Sequence, residues 1–218
     1  MNSPQLQRLV TGFLNTTTAS VSDALDRRGI RGFMSHEIKP RTVSRKIAGI
    51  AVTIREVPST ERQPPLRAIE AIDSAPAGAV IVIGVDNGAD VAVWGGLMTA
   101  AALARGLAGA ILDGGVRDVA EIRRDYDFPV YARSIVPSTT VGRYVAIEHD
   151  VVVVCGGVRV APGDIVLGDD DGVVVVPAAV AEGVLQEALS IDAREAQMAQ
   201  ELREGRRFME VFEKYARI

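Results

Sequence analysis

Apolar residues along this chain fall into runs of two kinds. The stretches "AVIVIG" at 79–84 and "AGAILDGG" at 108–115 have almost no polar face, which predicts short parallel strands covered on both sides. "IAGIAVTIREV" at 47–57 alternates and is rich in β-branched residues, and "FPVYARSI" at 128–135 has similar character, so both predict strands. Helical spacing separates them. "SVSDALDRRG" at 20–29 predicts a helix with Ser20 as cap and Gly29 as stop, and 66–74 predicts another after the breaker "RQPPLR". "GLMTAAALARG" at 96–106 predicts a helix of small residues that starts through Gly95-Gly96, and 119–125 predicts a short one.

From 144 to 177 the pattern changes to three or four β-runs split by "GG", "PGD" and "DDDG", with no room for helices. Residues 178–205 return to a long, charged helical pattern. Its apolar positions Leu185, Leu189, Met198 and Leu202 suit either an interface with another copy or a solvated helix. The organisation is that of a single α/β domain over 1–218, with a core at about 17–177 and a C-terminal helical segment at about 178–214.

Composition narrows the function classes. A net charge of −4 argues against nucleic acid or an anionic membrane as partner, since both need a basic field. No segment reaches the roughly 18 apolar residues of a membrane span, and the first twenty residues lack the basic start and apolar block of a signal peptide. With one cysteine, Cys155, no disulfide can form within the chain, which fits a cytoplasmic setting. The only lysines, Lys39, Lys46 and Lys214, have no pocket-like context for Schiff-base chemistry, and His36 and His149 are too far apart for a zinc spacing. No "GxSxG" or "GxxxxGK" occurs, and the acids of "GDDDG" are consecutive, as in a β-turn, where a calcium loop would alternate them.

Two predicted strand ends could carry chemistry, because ligands of α/β sheets gather beyond the C-terminal ends of strands. At "VWGGLM", Gly95 and Gly96 let a ligand approach the backbone, and the N–H groups of Gly96, Leu97 and Met98 open a helix suited to a carboxylate or phosphate. Tight strand–helix packing explains the same glycines. At "ILDGGVRD", Gly114 and Gly115 predict a sharp turn after Asp113. Arg117 then offers a bidentate fork for a carboxylate, and Asp118 offers hard oxygens for Mg²⁺. A surface ion pair with Asp118 capping the following helix explains these two residues equally well.

"VSDALDRRG", "IAGIAVTIREVP", "VWGGLMTAAALARGLAGAILDGGVRD", "VAPGDIVLGDDDGVVVVP" and "REAQMAQELREG" occur in the order and spacing of RraA-like proteins. The chain resembles this family from about Thr17 to Gly205. The family is named for a regulator of ribonuclease E activity and includes metal-dependent 4-hydroxy-4-methyl-2-oxoglutarate aldolases.

The resemblance implies an α/β/β sandwich like the swivelling phosphohistidine domain, with a long C-terminal helix. It implies a homotrimer or a dimer of trimers with sites between subunits. By position, it implies that Arg117 binds a small 2-oxo acid, that Asp118 ligates Mg²⁺ or Mn²⁺, and that Gly95, Gly96, Leu97 and Met98 hold the substrate carboxylate. Glu195, otherwise readable as an exposed helix glutamate, corresponds to an acid that reaches the site from a neighbouring subunit. The implied activity is a metal-dependent carbon–carbon lyase, an aldolase or oxaloacetate decarboxylase releasing pyruvate. The alternative is a regulator that binds ribonuclease E or a helicase without catalysis. One position departs from the aldolase pattern: Gly96 stands where those proteins carry an acid, as "GEL" or "GDL".

Overall fold

The computed structural model describes residues 3–215. In chain order the elements are α1 (Ser3–Leu14), α2 (Thr18–Asp26), β1 (Lys39–Pro40), β2 (Ile47–Pro58), α3 (Leu66–Ser74), β3 (Val80–Val85), β4 (Ala92–Trp94), α4 (Gly96–Ala104) and β5 (Gly109–Val116). They continue with α5 (Val119–Glu121), a π-helical turn (Ile122–Tyr126), β6 (Val130–Ile135), β7 (Tyr144–His149), β8 (Val153–Cys155), β9 (Val158–Val160), β10 (Ile165–Asp169) and β11 (Gly172–Val176). A 3-10 turn (Ala178–Val180), α6 (Ala181–Arg203) and α7 (Phe208–Tyr215) close the order.

One large mixed sheet runs β1-β6-β5-β3-β2-β10-β11, with β4 added on β5 and β7 on β2. Its centre, β2-β3-β5-β6, is parallel, and β3 and β5 are buried at every position, as their unbroken apolar sequences predict. β2 is long enough to pair with β10 near its start and with β7 near its end, so the sheet bends around it into a second β layer.

Alternation along the strands assigns the two faces. Ile81 and Ile83 pack with Ala68, Ile72 and Ala102 of α3 and α4, whereas Val80 and Val82 pack with Val153, Val158 and Val175 of the second β layer. A third core joins β10 and β11 to α1, α2 and α6 through Phe13, Leu25, Leu185 and Ile191. The result is a mixed α/β fold with α, β and β layers and a long C-terminal helix, as expected. Among the described residues, no helix is long and apolar enough to cross a membrane.

Several local expectations are corrected. α2 is capped by Thr17, whose hydroxyl accepts the Ser20 amide at 3.0 Å; Ser20 lies inside the helix, where its own hydroxyl bonds Asp192 of α6. Gly114 and Gly115 make no turn but continue β5 to Val116. They are small because neighbours press on the strand: a Cβ at Gly115 would lie 2.6 Å from Val136 Cγ2, and one at Gly114 3.2 Å from the Val91 carbonyl. The segment 144–177 holds five strands. The expected C-terminal helical segment is split into α6 and α7, and α1 lies outside the expected elements, although Leu6, Leu9, Val10 and Phe13 give it a clear apolar stripe. On α6, Leu185 and Met198 are buried within the chain, which leaves Leu189 as the exposed apolar position.

One polar group is trapped in the sheet. Glu56, at a bulge of β2 between Val85 of β3 and Ala146 of β7, is 1% exposed, and neither carboxylate oxygen has a hydrogen-bond partner.

Candidate active site

β4 lies parallel to β5, pairing Ala92 with Gly115 and Trp94 with Val116, so both strands end side by side. The Arg117 amide donates to the Trp94 carbonyl at 3.0 Å and carries the pairing one residue further. The chain then reverses at Asp118, which has left-handed backbone angles (φ 58°, ψ 28°), a conformation aspartate tolerates better than most residues.

The reversal aims the Asp118 carboxylate at the start of α4. Asp118 Oδ2 accepts the Gly96 amide at 3.0 Å and lies 3.6 Å from Arg117 Nε. Asp118 therefore caps α4 from the neighbouring strand, and it makes no cap bond to α5, the helix it precedes. A carboxylate is favoured there by the positive end of the helix dipole. Its other oxygen accepts from no described residue. The Leu97 and Met98 amides likewise find no acceptor among the described residues, as expected in a first helical turn open to a ligand. The Arg117 and Asp118 side chains are 43% and 40% exposed, so both remain available.

The turn between β4 and α4 is braced from beneath. Buried Trp94 donates through Nε1 to Thr99 Oγ1 at 2.8 Å, and that hydroxyl donates to the Gly95 carbonyl at 3.0 Å. Trp94 also stacks on Phe128, with ring centroids 6.3 Å apart. Gly95 is required by space: its backbone is extended, but a Cβ would come within 2.7 Å of Asp118 Oδ2 and 3.2 Å of Arg117 Cγ.

A cavity of about 460 Å³ opens here, with Gly95, Gly96, Arg117 and Asp118 in its lining. Apolar walls come from Pro65, Ile69 and Ile72 at and within α3, from Met98 and Ala101 of α4, and from Val141. Leu97, also part of the lining, is 89% exposed.

Gly95, Gly96, Leu97, Met98, Arg117 and Asp118 are thus brought together. Glu195 is not among them: it lies exposed on α6, which packs mainly on α2, α1 and α7. Sequence reasoning missed Glu121. A Cβ at Gly96 would sit 2.7 Å from Glu121 Oε1, so a carboxylate occupies the space beside the glycine where an acid was expected. Tyr126, brought round by the π-helical turn, donates to the same oxygen at 3.3 Å, and its hydroxyl is held protonated by desolvation and by Glu121. No local signal marks it, because Glu121 meets Gly96 only through the pairing of β4 with β5. Among the described residues, no three His, Cys, Asp or Glu side chains gather closely enough to hold a metal alone.

Fold and cleft together define a mixed α/β protein with an arginine–aspartate pair at adjoining parallel strand ends. The chain belongs to the RraA-like family: the family model, described as Aldolase/RraA, matches residues 18–175. A Halalkalibacterium halodurans relative named "Putative 4-hydroxy-4-methyl-2-oxoglutarate aldolase" is 33% identical over 82% of this chain and 81% of its own. Protein DlpA of Legionella pneumophila is 32% identical over 99% of this chain, which spans only 35% of DlpA. Streptomyces coelicolor RraAS2, described as an unusual member of the RNase ES inhibitor RraA protein family, aligns with a TM-score of 0.77 at 26% identity, over 87% of this chain and 94% of that one.

Proposed function

We propose that this protein is a divalent-metal-dependent carbon–carbon lyase that releases pyruvate from a small 2-oxo acid. The observation that carries this reading is the Arg117–Asp118 pair, held at a helix N-terminus in the wall of an open cavity. The donor set suits Mg²⁺ or Mn²⁺: one carboxylate with a free oxygen, no histidine or thiolate, and room for water and substrate as further ligands. Asp118 would hold the ion, and Glu121 would restore the carboxylate that Gly96 does not supply. When bound, the ion adds positive charge where an enolate oxygen develops.

The other contributions come from this chain's own groups. Arg117 presents a planar fork to the 2-oxo acid and stabilises the same developing charge. The Leu97 and Met98 amides bind the substrate carboxylate at the positive end of α4. Gly95 lets the head group reach the backbone. Glu195 would complete the site from an adjacent subunit of a trimer or a dimer of trimers, in the cytoplasm.

The test is pyruvate release from 4-hydroxy-4-methyl-2-oxoglutarate and from oxaloacetate, with Mg²⁺ or Mn²⁺ and with EDTA. Activity abolished by EDTA and lowered on the order of 10²–10³-fold in Arg117→Lys supports the reading. Activity indifferent to both ends it. The likeness to RraAS2 favours a second reading, a regulator that binds ribonuclease E. Retention of the protein on immobilised ribonuclease E, undiminished in Arg117→Lys, would favour it.

A further inference from the structure

We propose that Thr140 and Arg62 form a second anion subsite in the cavity, which binds the distal carboxylate of a 4-hydroxy-2-oxo dicarboxylate and selects it over 2-oxo monoacids. This rests on the lyase reading above and assigns specificity to two residues outside the Arg117–Asp118 centre.

The wall that carries the subsite is built where β2 ends and β7 begins. Pro58 pairs with Tyr144, so the segments 59–65 and 136–143 run side by side beyond the sheet. The Ser59 amide donates to the Arg143 carbonyl and the Gly142 amide to the Glu61 carbonyl, each at 2.9 Å. Between these bonds the Thr140 carbonyl accepts the Arg143 and Tyr144 amides, both at 2.8 Å, closing a tight turn. Gly142 has a left-handed backbone (φ 77°), and Arg62 lies across it: a Cβ there would be 3.7 Å from both Cγ and Nη1 of the arginine.

This turn presents polar groups that the fold does not use. Thr139 and Thr140 line the cavity, and neither hydroxyl bonds a described residue. Thr140 is only 7% exposed, and a hydroxyl so nearly buried is costly to leave without a partner. A ligand carboxylate reaching that depth supplies one. Arg62, exposed beside the turn, has no hydrogen bond or ion pair with a described residue. The Arg143 side chain flanks the same turn and makes one hydrogen bond, to the Thr139 carbonyl at 3.3 Å. Asp73, the lining's acid besides Asp118, is paired with Arg105 at 3.0 Å, which offsets its charge.

The two ends of a substrate are thus met by different groups. Arg117 and the open amides of α4 take the 2-oxo acid head. The planar guanidinium of Arg62 and the Thr140 hydroxyl donate to the other carboxylate, which accepts several donors at once. A hydrogen bond to a charged group is worth on the order of tenfold or more in affinity. In 4-hydroxy-4-methyl-2-oxoglutarate that carboxylate is attached to C4, so the subsite holds the fragment that departs.

The test is calorimetry on the intact protein with Mg²⁺ present. Two unreactive probes are used, 2-oxoglutarate and 5-methyl-2-oxohexanoate, in which an isopropyl group replaces the distal carboxylate. The parent should bind 2-oxoglutarate about tenfold or more tighter. Thr140→Val and Arg62→Gln should each lower that preference roughly fivefold or more, and raise KM for 4-hydroxy-4-methyl-2-oxoglutarate more than they lower kcat. Thr140→Ser, which keeps the hydroxyl, should restore the preference. Arg62→Gln, at an exposed position, decides the matter if Thr140→Val does not fold. Equal or weaker binding of 2-oxoglutarate, binding of neither probe, or a preference unmoved by either folded variant overturns the proposal. Pyruvate release without the preference overturns it too but leaves the lyase reading standing. The preference without pyruvate release supports the subsite and removes the lyase reading instead.

Discussion

Asp118 Oδ2 and the Gly96 amide meet at 3.0 Å, so that a residue just beyond one strand caps the helix following its neighbour. Two roles are combined in that carboxylate: it accepts the amide, and it carries the charge. Asp118→Asn separates them, because asparagine also accepts and also tolerates the left-handed conformation. The melting temperature should stay close to that of the parent while pyruvate release falls by about 10² or more. Asp118→Ala should lose activity and about 1–2 kcal/mol of stability, since both the acceptor and the tolerance of that conformation disappear. Thermal melts beside the coupled pyruvate assay distinguish the two variants. Full activity in Asp118→Asn would remove the charge from the mechanism.

Gly95→Ala tests whether that space must stay empty. Because its backbone is extended, alanine brings no conformational strain, and its methyl group would meet the two side chains of the pair. Activity should fall at least tenfold with a melting temperature within a few degrees of the parent. An unchanged kcat/KM would show that the pair can move aside without consequence.

Thr99→Val keeps the shape of the brace and removes its hydroxyl. Trp94 Nε1 would then be buried without an acceptor, at a cost of about 1–3 kcal/mol in denaturant unfolding. Thr99→Ser should recover most of the loss. Equal stability of the valine and serine variants would show that the hydroxyl contributes nothing.

Glu56 gives the fold a pH dependence of its own. Burial pushes its pKa from the ordinary 4.5 up to about 8, so the folded chain keeps a proton that the unfolded chain releases within that window. The contribution of Glu56 to stability therefore falls as pH rises from about 4.5 to 8, by roughly 1.4 kcal/mol per unit. Glu56→Leu should raise the melting temperature more at pH 8 than at pH 5. An equal gain at both pH values would assign the penalty to shape, not charge.

Glu195 provides a test of the assembly. Glu195→Gln should leave the melting temperature unchanged, since the residue is exposed on α6, and should lower pyruvate release. Mixed oligomers of Glu195→Gln with Asp118→Asn should regain part of the activity, because some interfaces then combine the two intact residues. No recovery on mixing, with oligomers of the expected trimeric mass by light scattering, would exclude a shared site.

The parts of this fold legible in the sequence are those in which local pattern and burial agree. The apolar runs of β3 and β5 could only be covered strands, and α3 lies at the residues its spacing and preceding prolines predict. What escaped depends on neighbours distant along the chain. Gly114 and Gly115 look like a turn until Val91 and Val136 are known to press on them. Ser20 looks like a cap until Asp192 is placed beside it. In the site, residues 95–98 and 117–118 could be proposed because they follow strand ends. Glu121 could not, because its meeting with Gly96 depends on β4 and β5 lying side by side.

That side-by-side arrangement separates two kinds of information along the chain. The head-group machinery, from Trp94 to Asp118, lies in one continuous stretch bound together largely by backbone contacts. The walls around the remainder of the cavity come partly from two other segments, around Pro65–Ile72 and Thr139–Val141. Changes in those segments can retune which tail is accepted while the reacting centre is inherited intact. A scaffold divided in this way can diversify its substrates without reinventing its chemistry.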